Sequence, residues 1–461
     1  MKKRILSAVC TIFMLLSVML ASVSCASGGI ASAEINENGE LILIYDGGRE
    51  QNLGVVVGSD GKDGEDGKDG VDGENGVDGK DGEDGVDGKD GVDGTNGSLT
   101  VTAGFDNIAV ASAKGLRSAV SIICNFTATV QQGGWRPSTT TKEYASAGSG
   151  VIYSLNKSEG DAFIVTNYHV VYDSSSNTQN GISEDISVYL YGSEIEEKAI
   201  KATYVGGSLY YDIAVLHVDN SEILKNSDVC AVEIADSDKV SVGDSAIAIG
   251  NAKGLGVSAS SGIVSVDSEY ITMAAADGKT EVSFRVMRVD TAVNSGNSGG
   301  GLYDSEGRLI GIVNAKIVDD GVENIGYAIP SNIAVSIAEN IIDYCFGTEL
   351  ERVQRAMLGI TVSTTDSKAV YDTVNGSISI KETVSVYEIS NGSIAADALQ
   401  AEDVLLRATL NGKTVEITRQ YHIIDLMLDV RVGDTVELTV LRGGEEKTVS
   451  IKITKDSLTE Y

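Results

Sequence analysis

"DTAVNSGNSGGGLYDSEGRLIGIV", residues 290–313, crowds five glycines and three serines into positions 295–307 and then turns into an aliphatic strand. Glycine lacks a Cβ, so such a run lets the backbone fold tightly enough to aim successive N–H groups inward while the hydroxyl of Ser298 projects from the turn. Glycine-rich turns are also common as plain connectors. The rest of the chain decides between these readings. Acyl transfer requires a nucleophile, a base within reach of it, an acceptor that fixes the tautomer of the base, and amides facing the developing oxyanion.

Only three histidines are available as a base. His169 lies in "FIVTNYHVV", where a β-rich run gives way to a loop; His217 lies within the strand pattern of "DIAVLHVDN"; His422 lies in "RQYHIIDLM" near the C-terminus. A lone histidine is usually structural. Order along the chain separates them: His169, then Asp212 in "YYDIAVLHV", then Ser298, spaced by 43 and 86 residues, is the histidine, aspartate, serine order of double-barrel chymotrypsin-type enzymes.

Around these residues, from about 105, short β-rich runs such as "SAVSIICNF", "SGVIYS", "ISVYLYG" and "SAIAIG" alternate with Gly, Asn, Asp and Ser. Many short strands with few helical stretches predict an antiparallel barrel or a pair of barrels. "SNIAVSIAENIIDYCFG", 331–347, has helical apolar spacing and a glycine stop. Residues 355–455 read as a separate module of strands and helix-like pieces, ending in a hairpin joined at "RGGE".

The segment ahead of the barrels is of another kind. "MKKRILSAVCTIFMLLSVMLASVSC" has the basic start, apolar stretch and small residues of an export signal over residues 1–25. Cys25 is a candidate lipoprotein cysteine, although Ser22 stands where a larger aliphatic is usual; "ASA" at 31–33 is an alternative cleavage site. Residues 34–57 alternate around "DGG" as a small β-hairpin. From Gly58 to Gly97 glycine falls at every third position through thirteen triplets without a slip, which predicts a collagen-like repeat; a triple helix of that length extends ~120 Å. The repeat contains no proline and carries 14 carboxylates against 4 lysines, so a disordered acidic spacer is the competing reading.

The 461 residues carry a formal charge of −32, which disfavours nucleic acid and anionic membrane surfaces as partners and leaves the signal or a lipid as the means of membrane attachment. Cys124, Cys230 and Cys345 are scattered, forming neither a disulfide framework nor a zinc pattern, and the histidines do not group with cysteines or acids; no metal or other cofactor is expected.

The segments "GSGVIY", "IVTNYHVV", "YDIAVL", "IGNAKGLGVSASSGIVS", "DTAVNSGNSGGGL", "GRLIGI" and "IGYAIPSN" resemble, in order and spacing, those of the HtrA (Deg) serine proteases, and the last module resembles the PDZ domain of that family. The resemblance implies a mainly β chain: a chymotrypsin-like double β-barrel protease domain over 105–348, then a PDZ-like α/β module over 355–455, preceded by the collagen-like stalk. Carried over by position, it implies Ser298 as nucleophile, His169 as general base and Asp212 as its partner, an oxyanion hole at Gly296, Asn297 and Ser298 built from the amides of the first and last, and a substrate pocket bordered by Asn314, Ala315 and Lys316. It also implies a carboxylate-binding loop at Met357, Leu358, Gly359 and Ile360 that captures peptide C-termini. Unfolded or exposed polypeptides at the cell envelope would be the substrates, and a homotrimer the assembly. The chain departs from the family at Ser295 and Gly301, where proline is common, and at Glu402, where glycine is usual. Two other readings are a chaperone using the protease domain as a scaffold and a collagen-like surface adhesin.

Overall fold

The computed structural model describes residues 30–35, 40–45, 50–55, 104–132, 138–178, 180–193, 195–314, 325–373 and 376–460. The export signal with Cys25, the repeat at 58–97, and Ala315 and Lys316 lie outside the described residues. The chain divides into two units, the first ending at Thr95 and the second running from Asn96 to Tyr461.

In the first unit, β1 (Ile30–Ile35), β2 (Glu40–Tyr45) and β3 (Glu50–Val55) form an antiparallel sheet in that order. The expected hairpin over 34–57 is thus the distal part of a three-stranded meander. The extra strand, "IASAEI", is made largely of small residues that give no clear two-residue alternation.

The second unit begins with helix α1 (Gly104–Leu116) and two closed barrels, each of six antiparallel strands. In the first, β4 (Ala119–Gln132), β5 (Ser138–Asn156), β6 (Asp161–Thr166), β7 (Asp185–Leu190), β8 (Ile200–Ser208) and β9 (Ile213–Val218) close in the order β4-β5-β6-β9-β8-β7. In the second, β10 (Ser245–Gly250), β11 (Ser258–Ala274), β12 (Glu281–Val289), β13 (Gly301–Tyr303), β14 (Leu309–Val313) and β15 (Gly326–Pro330) close in the order β10-β11-β12-β15-β14-β13. Closure pairs every strand and leaves no sheet edge to cover. Ile122, Ile152, Ile164 and Leu216 fill the first barrel, and Val264, Met287, Leu302 and Ala328 the second. A third apolar cluster joins Val151, Ile213, Ile249 and Tyr303 to Ile333, Ile337 and Ile341. The last three form the buried stripe of helix α3 (Ser331–Cys345) at helical spacing, so α3 seals the seam between the barrels.

The last module holds β16 (Gln354–Ala356) paired with β23 (Leu458–Glu460), and a sheet of β17 (Ile360–Asp372), β18 (Ser377–Ile389), β19 (Val404–Leu410), β21 (Thr435–Arg442) and β22 (Glu445–Lys452), with β20 (Lys413–Glu416) added on β19. Helix α4 (Gln420–Asp429) buries Ile423, Leu426 and Met427 in the module's apolar core with Val386, Leu405 and Leu438. Gly443 and Gly444 turn the β21–β22 hairpin with φ of 60° and 86°, the positive values that a two-residue turn matching the strand twist requires. Among the described residues no helix is long and apolar enough to cross a membrane.

Candidate active site

The His169 side of the site is built on the first barrel. Strand β6 ends at Thr166 and the single turn α2 (Tyr168–Val171) follows, with Tyr168, Val170 and Val171 buried, which leaves His169 as the side chain turned toward the cleft. Asp212 meets it from the start of β9, in the left-handed region at φ 54°. That strained backbone is held by two donors on the Asp212 carbonyl, the Tyr168 N–H at 3.1 Å and Asn167 Nδ2 at 2.8 Å. The buried Asp212 carboxylate accepts the His169 backbone N–H through Oδ1 at 2.9 Å and lies 2.6 Å from His169 Nδ1 through Oδ2. With Nδ1 donating to a carboxylate, Nε2 is the ring nitrogen left to act as base. Asn314, expected to border the substrate pocket, is fully buried, and its Nδ2 donates to the same Oδ2 at 2.8 Å.

The other side of the site is the glycine-rich loop of the second barrel. Gly296 and Gly299 have φ of 95° and 82°, which suit glycine. A Cβ on Gly299 would lie 2.3 Å from the Ser149 carbonyl and from Thr166 Oγ1, and 2.9 Å from the Asn167 nitrogen. That close approach seats Ser298 against the entry to α2. The Ser149 N–H reinforces it by donating to the Ser298 carbonyl at 2.8 Å. Among the described residues no hydrogen bond joins Ser298 Oγ to His169, so the expected line of three side chains is closed between Asp212 and His169 and open at the nucleophile. Such bonds commonly tighten only with substrate present.

The amides of the loop divide clearly. Asn297 N–H donates to the Asn294 carbonyl at 2.9 Å, Gly299 N–H to Val313 at 3.0 Å and Gly300 N–H to Asn297 at 2.9 Å. Among the described residues, the N–H groups of Gly296 and Ser298 donate to nothing. Two unused amides flanking one that is occupied is the arrangement an oxyanion hole needs. Ser295 and Gly301, which stand where proline is common in the family, are both tied down: the Ser295 carbonyl accepts the Lys253 N–H at 2.7 Å, and Gly301 pairs with Ile249 and Ile312 within the barrel.

The remaining histidines have other partners. His217 Nε2 lies 2.8 Å from Asp161 and its ring packs on Phe163 and Phe346; His422 Nδ1 accepts the Thr418 N–H at 3.2 Å. Among the described residues no group of His, Cys, Asp and Glu could hold a metal ion. In the last module Met357–Gly359 connect β16 to β17, which starts at Ile360, and these four residues line an apolar groove with Ile423, Ile424 and Met427 of α4. Gly359, at φ 73°, places its Cα where a Cβ would strike Ser393. Glu402 adopts φ 70°, the conformation expected of the missing glycine, and is fixed by its N–H to the Val386 carbonyl and by the neighbouring Asp403, whose carboxylate receives two Arg442 donors at 2.7 and 2.6 Å.

Two closed barrels, a histidine bonded to a buried aspartate on one, and a serine loop with free amides on the other define a double-barrel serine protease, which a separate module of strands and a helix follows. Comparison with known proteins agrees. The trypsin-like peptidase domain matches residues 148–312, the PDZ domain 356–453 and the collagen triple helix repeat 54–102. The serine protease Do-like HtrA of Lactococcus lactis subsp. cremoris is 33% identical over 331 residues, 68% of this chain and 72% of that protein. Its namesake in Bacillus subtilis is 33% identical over 67% of this chain and 64% of that protein, and the periplasmic pH-dependent serine endoprotease DegQ of Escherichia coli is 32% identical over 70% and 62%. The chain belongs to the HtrA family and is a serine endopeptidase.

Proposed function

We propose that the protein is an exported, ATP-independent endopeptidase that cleaves misfolded or exposed polypeptides at the cell envelope through an acyl-enzyme. Ser298 Oγ attacks the scissile carbonyl carbon as His169 Nε2 takes its proton; Asp212 holds the imidazole and stabilises the imidazolium. The carbonyl oxygen, now an anion, is received by the N–H groups of Gly296 and Ser298. The imidazolium returns the proton to the leaving amine, and water, deprotonated by His169, releases the acyl group. The observation that carries this reading is the pair of unbonded amides beside a serine whose loop is pressed onto the His169 turn. Labelling with a fluorophosphonate tests it: stoichiometric modification at Ser298, absent in Ser298→Ala, is expected, and an unlabelled wild type overturns the reading. Asn314, Ala315 and Lys316 offer no acid to attract a basic side chain, so a small or aliphatic residue before the cleaved bond is expected from a peptide-library profile.

The Met357–Ile360 loop and the apolar groove beside it suit a peptide C-terminus added as a strand. A collagen-like repeat needs three chains, as does the trimer usual in this family, so a homotrimer is expected; a monomer in sedimentation at micromolar concentration would contradict it. For maturation we favour Cys25. Cleavage at 31–33 would cut through β1, removing pairs such as Ser32 with Ile44, whereas cleavage before Cys25 leaves that strand whole on a four-residue tether. Mass spectrometry of the membrane-extracted protein distinguishes the two by a diacylglyceryl adduct on Cys25.

A further inference from the structure

We infer that Ser149 is a positioning residue for transition-state stabilisation: its buried hydroxyl locks the peptide between Gly296 and Asn297 and thereby keeps the two free N–H groups of the nucleophile loop turned into the cleft. The inference rests on the proposed role of those amides and adds the residue that maintains them.

Three consecutive peptides run from Ser295 to Ser298. In a planar trans peptide the carbonyl and the N–H point in opposite directions, so tethering the carbonyl aims the N–H. The Ser295 carbonyl is held by the Lys253 N–H at 2.7 Å, which turns the Gly296 N–H the other way, and the Asn297 carbonyl is held by the Gly300 N–H at 2.9 Å, which does the same for Ser298. Between them, the Gly296 carbonyl accepts the Ser149 hydroxyl at 2.7 Å. This middle peptide is hinged on Gly296, which at φ 95° has no Cβ to resist rotation. On the carbonyl side, the hydroxyl is the group restraining it.

Every polar group of Ser149 is engaged, and the residue is only 1% exposed. Its N–H donates to the Ser298 carbonyl at 2.8 Å and its own carbonyl accepts Thr166 Oγ1 at 2.7 Å. The hydroxyl oxygen accepts the Asn251 N–H at 2.7 Å, so its single proton is committed to Gly296. Asn251 opens the short loop whose Lys253 N–H holds the Ser295 carbonyl. One hydroxyl thus ties β5 of the first barrel to both loops that shape the hole. None of this bears on substrate held before reaction, so its loss should appear in kcat.

Full-length wild type, Ser149→Ala, Ser149→Thr and Ser118→Ala are compared in steady-state peptide hydrolysis and thermal melting. Ser118 is a control of equal burial, with its hydroxyl between the Gly115 carbonyl and the Tyr303 hydroxyl, outside the nucleophile loop. The expected result is a fall in kcat of about 100-fold for Ser149→Ala, with KM within about threefold, the acid limb of the kcat pH profile unmoved, and much of the rate restored in Ser149→Thr. Ser118→Ala should lose stability while keeping its kcat. If Ser149→Ala fails to fold, Ser149→Cys, similar in size and a weak donor, takes its place with the same expectation of lowered kcat at retained stability. A kcat within threefold of wild type, a rise in KM at constant kcat, or an equal kcat loss in Ser118→Ala overturns the inference. Wild-type turnover and its abolition in Ser298→Ala report separately on the proposed function itself.

Discussion

At the scale of single residues, the site depends on how one carboxylate is fixed. Asp212 Oδ2 faces both His169 Nδ1 and Asn314 Nδ2, while its other oxygen holds the His169 backbone. Replacing Asn314 by alanine removes a buried donor to a charged group, a loss of about 1.5–3 kcal/mol in orientation of the carboxylate, so kcat should fall by about 10- to 100-fold with little change in KM. Steady-state kinetics of Asn314→Ala checks this, and an unchanged kcat would show that His169 needs no help from that amide. The triad candidates were legible from sequence because their order and spacing are properties of the chain. The Asn314 contact was not: "VNAKIV" says nothing about which way an amide 102 residues from Asp212 will turn, and only closure of the second barrel brings it there. Ser149 was hidden likewise, as one small residue between two glycines in a β-rich run.

At the scale of elements, glycines that look alike in sequence differ in what surrounds them. A Cβ on Gly299 would enter the backbone of β5, whereas one on Gly254, at φ 69°, would meet nothing within 4 Å. Gly254→Ala should therefore cost only the local strain of a left-handed alanine, about 1–2 kcal/mol, and Gly299→Ala should abolish activity and lower the melting temperature well beyond it. Comparing the two variants in urea titrations and peptide hydrolysis checks the distinction. Glu402 is the converse case, a side chain at φ 70° where glycine is at ease. Glu402→Gly removes the strain but adds freedom to the unfolded chain, for a net gain of about 0.5 kcal/mol read as a raised urea midpoint at constant slope. Strand and helix patterns foretold most of these elements, including the 331–347 helix and the "RGGE" hairpin, because periodicity records which face is buried. The strand at 30–35 escaped notice because its small residues record no face.

At the scale of the whole second unit, the protease and the PDZ-like module meet through a buried charge cluster. Arg285 of β12 donates from Nη1 and Nη2 to Asp238, each at 2.9 Å, lies 2.9 Å from Asp425 of α4, and stacks 3.9 Å from the centre of the Tyr421 ring. One guanidinium facing two carboxylates leaves the second poorly neutralised. Burial, aided by Asp238 and Asp429 and opposed by Arg285 and Arg355, pushes the Asp425 carboxyl up to about 7. A carboxyl raised on folding contributes stability when protonated and loses it as pH rises through that value. His422 on the same helix is held low, chiefly by burial, so its contribution is present above its ordinary pKa and is lost as pH falls. The Asp425 contribution is lost between its ordinary carboxylate range and about pH 7, so over that window the two groups pull stability in opposite directions. Asp425→Asn should remove the Asp425-linked loss that wild type suffers as pH rises from about 5 to 7 and leave the slope above 8 unchanged, which melting curves between pH 5 and 9 would show; an equal pH dependence between 5 and 7 in wild type and variant would contradict it.

One serine, one imidazole and two amides carry the proposed chemistry, and the structure of a phosphonate adduct would display all four around the reacting atom. Phosphorus should be bonded to Ser298 Oγ, with its oxygen within about 3 Å of the Gly296 and Ser298 nitrogens and His169 Nε2 within hydrogen-bond reach of Oγ. An adduct on another residue, or one whose oxygen faces away from both amides, would contradict it.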